Sequence, residues 1–164
     1  MKSRSVLLQL LGGTKSSHAL RRWINLWPPF LGAGIRIQHI APDMKAVDVE
    51  MKLRFWNANY VGTHFGGSLF AMTDAMYMLM LLHVLGRGYY VWDKQASIDY
   101  LKPGRGIVTA RFRLEDAALA DILAHTATGE KYLPQFPVDI TDQQGDVVAR
   151  VLRTLYIKKK PPKP

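Results

Sequence analysis

The feature that most constrains the fold is an apolar segment over residues 67–85, which follows a polar, glycine-bearing turn over residues 57–67. Ala, Leu and Met dominate the segment, and all three residue types favour helix. Gly86 follows directly and is suited to a left-handed C-cap. A helix that is apolar on nearly all sides must be buried over most of its surface. We therefore predict one long central helix that the other elements surround.

A single carboxylate, Asp74, lies in the middle of this segment. An ionised carboxylate in apolar surroundings is costly unless it is paired or has a chemical role. At the centre of a bilayer it would cost about 2.5–3.5 kcal/mol, so we expect a buried helix rather than a transmembrane segment. Asp74 is the main candidate for function. The alternative is a structural carboxylate satisfied by a neighbouring helix or by a Lys or Arg.

Length and composition indicate one globular domain over residues 1–164, since 48% of the residues are hydrophobic. The absence of cysteine excludes disulfides and thiolate metal sites, and it favours a cytoplasmic location. The net charge of +9 comes from residues 1–30 and 158–164; elsewhere, 13 basic residues balance 13 acidic ones. Two interpretations stay open for these termini: solvated ends, or attraction for a polyanion or an anionic membrane surface. Residues 158–164 are predicted to be disordered.

Helical and strand periodicities predict the remaining elements. An amphipathic helix over 15–27 places Leu20, Trp23, Ile24 and Trp27 on one face, and Pro28 ends it. This helix either packs on the main body, or serves as a lid over an apolar tunnel or as a membrane-surface contact. A short helix is expected over 116–128. Strands are predicted over 34–41, 45–56, 89–101, 107–115, 136–141 and 147–157. An antiparallel sheet of six strands around one buried helix is an α+β fold.

Two motifs of the chain fit one pattern. In the first, Asn59 precedes the pair Gly66 and Gly67, and Asp74 comes seven residues after the second glycine. In the second, the strand over 89–101 ends in Tyr-Leu-Lys-Pro. The combination resembles the acyl-CoA thioesterases of the hot-dog fold superfamily, and it covers roughly residues 34–157. Phe65 stands where these enzymes have His, so the sequence is closest to a poorly characterised branch of the superfamily.

The resemblance implies a fold, an activity and an assembly. The fold is a six-stranded sheet wrapped around the central helix, here with an additional N-terminal helix in residues 1–30. The implied activity is hydrolysis of acyl-CoA or acyl-carrier thioesters by a homodimer or a dimer of dimers. We expect no metal and no cofactor beyond coenzyme A as part of the substrate, and no nucleic-acid partner.

Thioester hydrolysis requires donors for the carbonyl oxygen and a base that activates water. The free amides at the start of the central helix suit the first task, so we assign the Gly67 amide to the carbonyl, with Phe65 and Gly66 beside it. Asp74 is the predicted base. Seven residues span about 10 Å along a helix. The acid of one subunit is therefore expected to face the helix start of its partner.

The other candidate residues each have a plainer interpretation. Asn59 and His64 are predicted to assist catalysis, and the alternative is that they form the turn through backbone hydrogen bonds. Met78 could line an acyl pocket or fill the core. Lys102 and Arg105 could hold coenzyme A phosphates or belong to a solvated loop. Phe65 in place of His, and Met78 where some relatives have a hydroxyl, support the alternative function of a non-catalytic acyl-CoA binder.

Overall fold

The computed structural model describes residues 17–161 of the chain. Two N-terminal helices lead into a sheet that a helical segment interrupts after its second strand. The helices are α1 (Ser17–Asn25), α2 (Pro28–Ala33), α3 (Gly66–Ala71), α4 (Met76–Leu85) and α5 (Asp116–Thr126), with a 3₁₀ turn over Gly86–Gly88. The strands are β1 (Ile35–Ile40), β2 (Ala46–Lys52), β3 (Tyr89–Tyr100), β4 (Ile107–Arg113), β5 (Lys131–Tyr132), β6 (Gln135–Asp142) and β7 (Val147–Lys159).

The strands form one antiparallel sheet in the order β1-β2-β4-β6-β7-β3, and β5 pairs with β7 beside this path. The predicted α+β class is confirmed, with seven strands instead of six. The sequence prediction missed β5 because its two residues are too few to show an alternating pattern.

Helix α4 packs into the core, as the apolar composition of the segment predicted. Its residue Tyr77 stacks on Phe136 of β6, with ring centroids 4.4 Å apart, and meets the edge of Phe112 of β4 at 5.4 Å. Such aromatic pairs contribute about 0.5–1.5 kcal/mol beyond the area they bury. The segment Gly66–Gly88 is also long and apolar enough to cross a membrane. The core helix of a globular protein has the same length and composition.

The central helix is broken, which corrects the prediction of one helix over 67–85. Residues 72–75 form a turn between α3 and α4, and Ala75 has a left-handed backbone with φ of 64°. The cause is a tertiary contact. Arg153 of β7 donates to the carbonyl of Phe70 at 3.3 Å and to the hydroxyl of Thr73 at 3.1 Å, and that hydroxyl bonds the same carbonyl at 2.9 Å. The backbone amide of Thr73 also donates to the Phe70 carbonyl, at 3.1 Å, so a tight turn replaces the helical hydrogen bond at the end of α3.

The two edges of the sheet differ. Helix α1 covers the β1 edge: the Asn25 amide exchanges two hydrogen bonds with the backbone of Ile37, at 2.7 and 3.0 Å, and Arg21 donates to the carbonyl of Gln38 at 2.9 Å. These side chains replace a neighbouring strand. Among residues 17–161, no strand pairs with the outer side of β3. An open edge of this kind is available for pairing with another chain.

Both ends of the chain depart from prediction. Pro28 does not only end the first helix; it occupies the start of α2, where a missing N–H costs nothing. At the other end, β7 continues to Lys159, and the amide of Lys160 donates to the carbonyl of Gly88 at 2.8 Å. The predicted disorder of 158–164 is therefore wrong for Lys158 and Lys159, which pair with β3. Residues 1–16 and 162–164 of the predicted termini lie outside the described residues.

Candidate active site

Two asparagines build the turn that leads into α3. Asn57 is buried and accepts from the amide of Arg54 at 2.7 Å while it donates to the carbonyls of Ala33 and Lys52, both at 3.0 Å. Asn59 accepts from the amide of Thr63 at 3.0 Å and donates to its hydroxyl at 2.8 Å. Both side chains thus make the backbone contacts of the plainer interpretation. The catalytic role of Asn59 stays a prediction.

A cleft of about 440 Å³ opens beside the start of α3. It lies between this turn and the segment that follows β3. The lining residues are Asn59, Thr63, His64, Gly66, Leu69, Tyr100, Leu101, Lys102, Pro103 and Gly104. The cleft therefore brings together four of the predicted site residues (Asn59, His64, Gly66 and Lys102) from both sequence motifs.

The glycine pair lies between two aromatic rings. The Tyr100 hydroxyl donates to the carbonyl of Gly66 at 3.0 Å, and a Cβ added at Gly66 would meet the Tyr100 ring at 3.0 Å. A Cβ at Gly67 would lie 2.4 Å from the ring of Phe65, which is the N-cap residue of α3 and is exposed. A side chain at Gly67 would require the exposed Phe65 ring to rotate, and one at Gly66 would require the Tyr100 ring to shift slightly.

The amides of Gly66 and Gly67 point out of the start of α3. The first N–H groups of a helix have no acceptor within it. Among the described residues, no other group accepts a hydrogen bond from either amide. Gly66 lines the cleft, whereas Phe65 and Gly67 are not among its lining residues. Free amides at such a helix start can serve the oxygen of a carbonyl, which is the chemistry of an oxyanion hole.

His64 is buried in the wall of the cleft. Its Nε2 lies 3.2 Å from the carbonyl oxygen of Gly106, and burial lowers the pKa of the ring. Because a carbonyl only accepts, Nε2 carries the proton and Nδ1 is left as an acceptor. Within residues 17–161, Nδ1 is buried without a hydrogen-bond partner. The Nδ1 acceptor is thus enclosed in the wall of the cleft.

The remaining predicted binding residues differ in their contacts. Lys102 borders the cleft, but its ammonium group contacts the carboxylates of Asp142 and Asp146, each at 2.7 Å. The two carboxylates raise the pKa of Lys102, with the Asp142 hydrogen bond as the largest cause. Arg105 is exposed and donates to the carbonyl of Gly62 at 3.3 Å. Met78 is half-buried in α4, packs against the core and does not line the cleft.

Asp74 lies at the break of the central helix and is not among the residues that line the cleft. Its side chain is 59% exposed in the single chain, so the expected burial in apolar surroundings is wrong at this position. The turn between α3 and α4 carries the carboxylate out of the core. One oxygen lies 3.4 Å from Arg153, whose side chain is 4% exposed.

Arg153 is a residue that sequence reasoning missed. Its guanidinium bonds Phe70 and Thr73 at the break, and it lies 3.4 Å from Asp74 and 3.6 Å from Asp93 of β3. Burial raises the pKa of Asp93 above its usual range, against the opposing attraction of Arg153. A signal was present: Arg153 falls on the side of β7 that Val151, Leu155 and Ile157 turn to the core. A cation at such a position requires partners.

The arrangement offers donors and a carboxylate but no metal centre. Among residues 17–161, no group of three or more His, Asp or Glu side chains could hold a metal ion. Within one chain, Gly66 lines the cleft, whereas Asp74 is exposed at the helix break and does not line it. A reaction that needs both groups would require a second chain to complete each site.

Solved structures of similar fold were found at low identity. A Pseudomonas aeruginosa protein of unknown function, described as a probable thioesterase, matches with a TM-score of 0.80 and 18% identity over 89% of this chain and 97% of that one. A Haemophilus influenzae thioesterase matches with a TM-score of 0.65 and 17% identity over 90% and 93% of the two chains. A Chlorobaculum tepidum protein of unknown function matches at 0.69 and 16% over 88% and 94%.

These similarities confirm the predicted fold: the chain has the hot-dog fold of the thioesterase-like proteins. At such identities they carry the fold alone. No curated protein matches the chain. The profile of one family matches residues 17–157, which is most of the chain. The protein therefore belongs to the family described as a domain of unknown function, DUF4442.

Proposed function

We propose that this protein is a thioesterase that hydrolyses acyl-CoA or acyl-carrier thioesters, with no cofactor other than the coenzyme A of the substrate. The observation that carries the proposal is the cleft of about 440 Å³ at the start of α3, which Gly66 lines and beside which the amides of Gly66 and Gly67 have no acceptor. Similarity to thioesterases of the same fold supports it.

In the proposed reaction the carbonyl oxygen of the thioester accepts a hydrogen bond from the Gly67 amide. Asp74 takes a proton from a water molecule, whose oxygen attacks the carbonyl carbon. The resulting oxyanion is held by the amide until the carbon–sulfur bond breaks. The thiolate leaves with the proton that Asp74 carried, and the acid product is released.

A symmetric dimer would complete the site. The outer edge of β3 is open, whereas α1 covers the edge of β1, so we place the partner chain at the β3 edge. Asp74 interacts with Arg153, a neighbour of β3 in the sheet, so a partner at the β3 edge would stand close to this carboxylate. In a two-fold pair, each chain then offers Asp74 to the other's cleft and receives the same residue in return. We propose that this assembly works in the cytoplasm.

The decisive experiment measures thiol release from a panel of acyl-CoAs by the wild-type protein and by Asp74→Asn. Loss of a general base lowers kcat by about 10²–10⁴-fold. The matched control is Asp139→Asn, since Asp139 is also paired with an arginine, Arg150, but lies away from the cleft. The control retains wild-type turnover. Absence of turnover on every acyl chain length, or full activity in Asp74→Asn, contradicts the proposal.

A second candidate function is a non-catalytic acyl-CoA binder. The contact between Asp74 and the buried Arg153 favours it, because a carboxylate held by a cation serves the fold without chemistry. Calorimetry with acyl-CoA separates the two functions. Tight binding with no hydrolysis, unaffected by Asp74→Asn, would establish the binder and exclude the enzyme.

A further inference from the structure

A second and larger concavity is lined by none of the predicted site residues. We name it the basic groove; its volume is about 640 Å³, and it lies between the N-terminal helices and the strands β1 and β2. Its charged lining residues are Arg21, Arg22, Arg36, Lys52, Arg54 and Glu50. Neither the family nor the proposed thioester chemistry assigns a role to this surface.

The positive charge of the basic groove is not neutralised within the chain. Among residues 17–161, none of its five cations forms a salt bridge, and the sole acid, Glu50, lies opposite Arg36 in the strand register. The preceding residues 1–16 contain no Asp or Glu, so they cannot supply a carboxylate side chain. The anion that complements the groove must therefore come from another molecule.

Large apolar side chains surround these cations. Leu26, Leu31 and Trp56 line the groove and are 65%, 59% and 55% exposed. Phe55 is 90% exposed and packs edge-on against Trp56, with ring centroids 5.0 Å apart. Exposed apolar groups that adjoin one another mark interaction surfaces. Cations beside Trp, Phe and Leu are the composition of segments that lie in the interface of a membrane.

We propose that the basic groove and its apolar rim dock on an anionic lipid bilayer. Arginine and lysine contact the headgroups, and the rim residues Leu26 and Phe55 enter the boundary of the acyl chains. The protein is thereby a peripheral membrane protein. This inference concerns a different surface from the candidate active site and does not depend on the proposed function.

Charge excludes the occupants that the chain itself could provide. A second copy on a two-fold axis would bring the same five cations against one another. The N-terminal segment 1–16 would add Lys2, Arg4 and Lys15 and no acid. A nucleic acid has the required charge and could stack on Trp56, but exposed leucines gain nothing from bases. A bilayer supplies both an extended surface of anionic headgroups and hydrocarbon beneath it.

The test is co-flotation of the full chain with vesicles at physiological ionic strength. We expect binding to vesicles of phosphatidylcholine with about one third phosphatidylglycerol and none to phosphatidylcholine alone. Raising the salt concentration weakens the binding, because screening acts on the exposed cations. Failure to bind anionic vesicles, or equal binding to neutral ones, overturns the proposal without any variant.

Two double variants locate the contact. Arg22→Glu with Arg54→Glu weakens binding at least about 30-fold, since each basic residue near an anionic surface contributes about a fivefold factor. The matched control, Lys131→Glu with Lys159→Glu, makes the same change in net charge at exposed positions outside the groove and stays within about threefold of wild type. Leu26→Gln with Phe55→Gln reduces binding at unchanged charge. All four positions of the first and third variants are exposed.

Three other outcomes would identify a different occupant. Equal loss in the control shows that net charge alone drives the attraction. Vesicle binding displaced by millimolar pyrophosphate at constant ionic strength shows a site for small phosphates. If the double variant Leu26→Gln with Phe55→Gln leaves both oligonucleotide binding and vesicle binding unchanged, the apolar rim does not contribute to binding. Each of these results overturns the bilayer proposal.

Discussion

Asp74 both contacts a neighbouring side chain and is exposed to solvent. The carboxylate touches Arg153 at 3.4 Å, yet more than half of the side chain meets solvent in the single chain. Exposed ion pairs contribute about 0–1 kcal/mol. The structural role alone therefore predicts a small effect of Asp74→Asn on unfolding, whereas the catalytic role predicts a large effect on turnover. The ratio of the two effects separates the interpretations at this residue.

Gly67→Ala is predicted to reduce activity with little change in stability. Alanine favours helix over glycine by about 1 kcal/mol, but the added Cβ lies within 2.4 Å of the exposed Phe65 ring, which must rotate. The methyl group also narrows the approach to the amide. We expect kcat/KM to fall at least about tenfold, since small misplacements at a reacting centre are costly. Urea unfolding and thiol release measure the two effects.

The matched control for this variant is Gly32→Ala. Gly32 is also a helical glycine, in α2, and an added Cβ there meets no atom within 4 Å. It should leave turnover unchanged. If Gly67→Ala retained full activity, the amide could not serve the carbonyl in the way that we propose.

His64→Gln is predicted to flatten the pH dependence of stability. Burial lowers the pKa of His64, so the folded protein holds the ring neutral and protonation favours the unfolded chain. The contribution of the neutral His64 ring to the free energy of unfolding is complete above the ordinary histidine pKa of about 6.5. It is lost as pH falls from there through the lowered pKa of the folded protein. Urea unfolding at pH 7 and pH 5 should therefore show a smaller drop in the variant. Equal drops in both proteins would contradict this account.

At the scale of elements, the break between α3 and α4 determines what the central helix can do. A continuous helix would hold residue 74 against the core, whereas the turn at 72–75 delivers its carboxylate to the surface near the open β3 edge. Arg153 maintains the break through Phe70 and Thr73. Arg153, a strand residue distant in sequence from the central helix, thus helps to position the candidate base Asp74 at the helix break.

Arg153→Met is predicted to destabilise the fold by about 1–3 kcal/mol, since Asp93, which is 22% exposed, loses its cation and the Thr73 hydroxyl loses a donor. Burial raises the pKa of Asp93, so its ionised form opposes folding as pH rises, and Asp93→Asn alone should be neutral or stabilising at pH 7. The double variant should be more stable than the sum of the two single effects predicts, because Asp93→Asn removes the carboxylate that Arg153→Met leaves unpaired. Urea unfolding checks all three proteins.

The control for the arginine variant is Arg150→Met. Arg150 pairs with Asp139 at 2.7 Å at the surface, where such a loss costs at most about 1 kcal/mol. If the effects of Arg153→Met and Asp93→Asn on the free energy of unfolding were additive in the double variant, the two side chains would not be coupled.

The sequence predicts these elements to the extent that local patterns determine them. Alternation located the main strands within a few residues, and the apolar run located the buried helix. The break could not be predicted, because Ala75 carries no signal for a left-handed backbone and the group that stabilises the turn lies on another strand. Arg153 was a signal in the sequence, because it is a charged residue at a position where the alternation of β7 predicts an apolar one. The cleft depends on both sequence motifs meeting in space.

At the scale of the molecule, the two edges of the sheet have different roles. Helix α1 closes the β1 edge, and its outer surface contributes to the basic groove. The β3 edge stays open beside Asp74. A dimer formed at β3 would leave the basic grooves of both chains free, so the proposed catalytic assembly and membrane docking can occur together. Two grooves on one dimer would bind a surface more tightly than one.

The last prediction tests whether each site is shared between two chains. Asp74→Asn and Gly67→Ala are each expected to have strongly reduced turnover as pure proteins. When they are mixed, unfolded and refolded together, half of the dimers contain one chain of each kind. In these, one site combines an intact Asp74 with an intact Gly67, and the other contains both defects. Symmetric pairing therefore predicts recovery of about one quarter of wild-type turnover.

The same mixture gives no recovery if each site lies within one chain, because every site would then carry one defect. Light scattering of the wild-type protein supplies the necessary companion measurement, since a dimer has twice the chain mass of 18.6 kDa. Mixing either variant with Gly32→Ala tests for nonspecific effects of refolding and should return the activity expected from the Gly32→Ala chains. Recovery of turnover in the first mixture, together with a doubled mass, would establish that Asp74 acts across the interface. A dimer without recovery of turnover would show that the chains pair but that Asp74 does not act in the cleft of the partner.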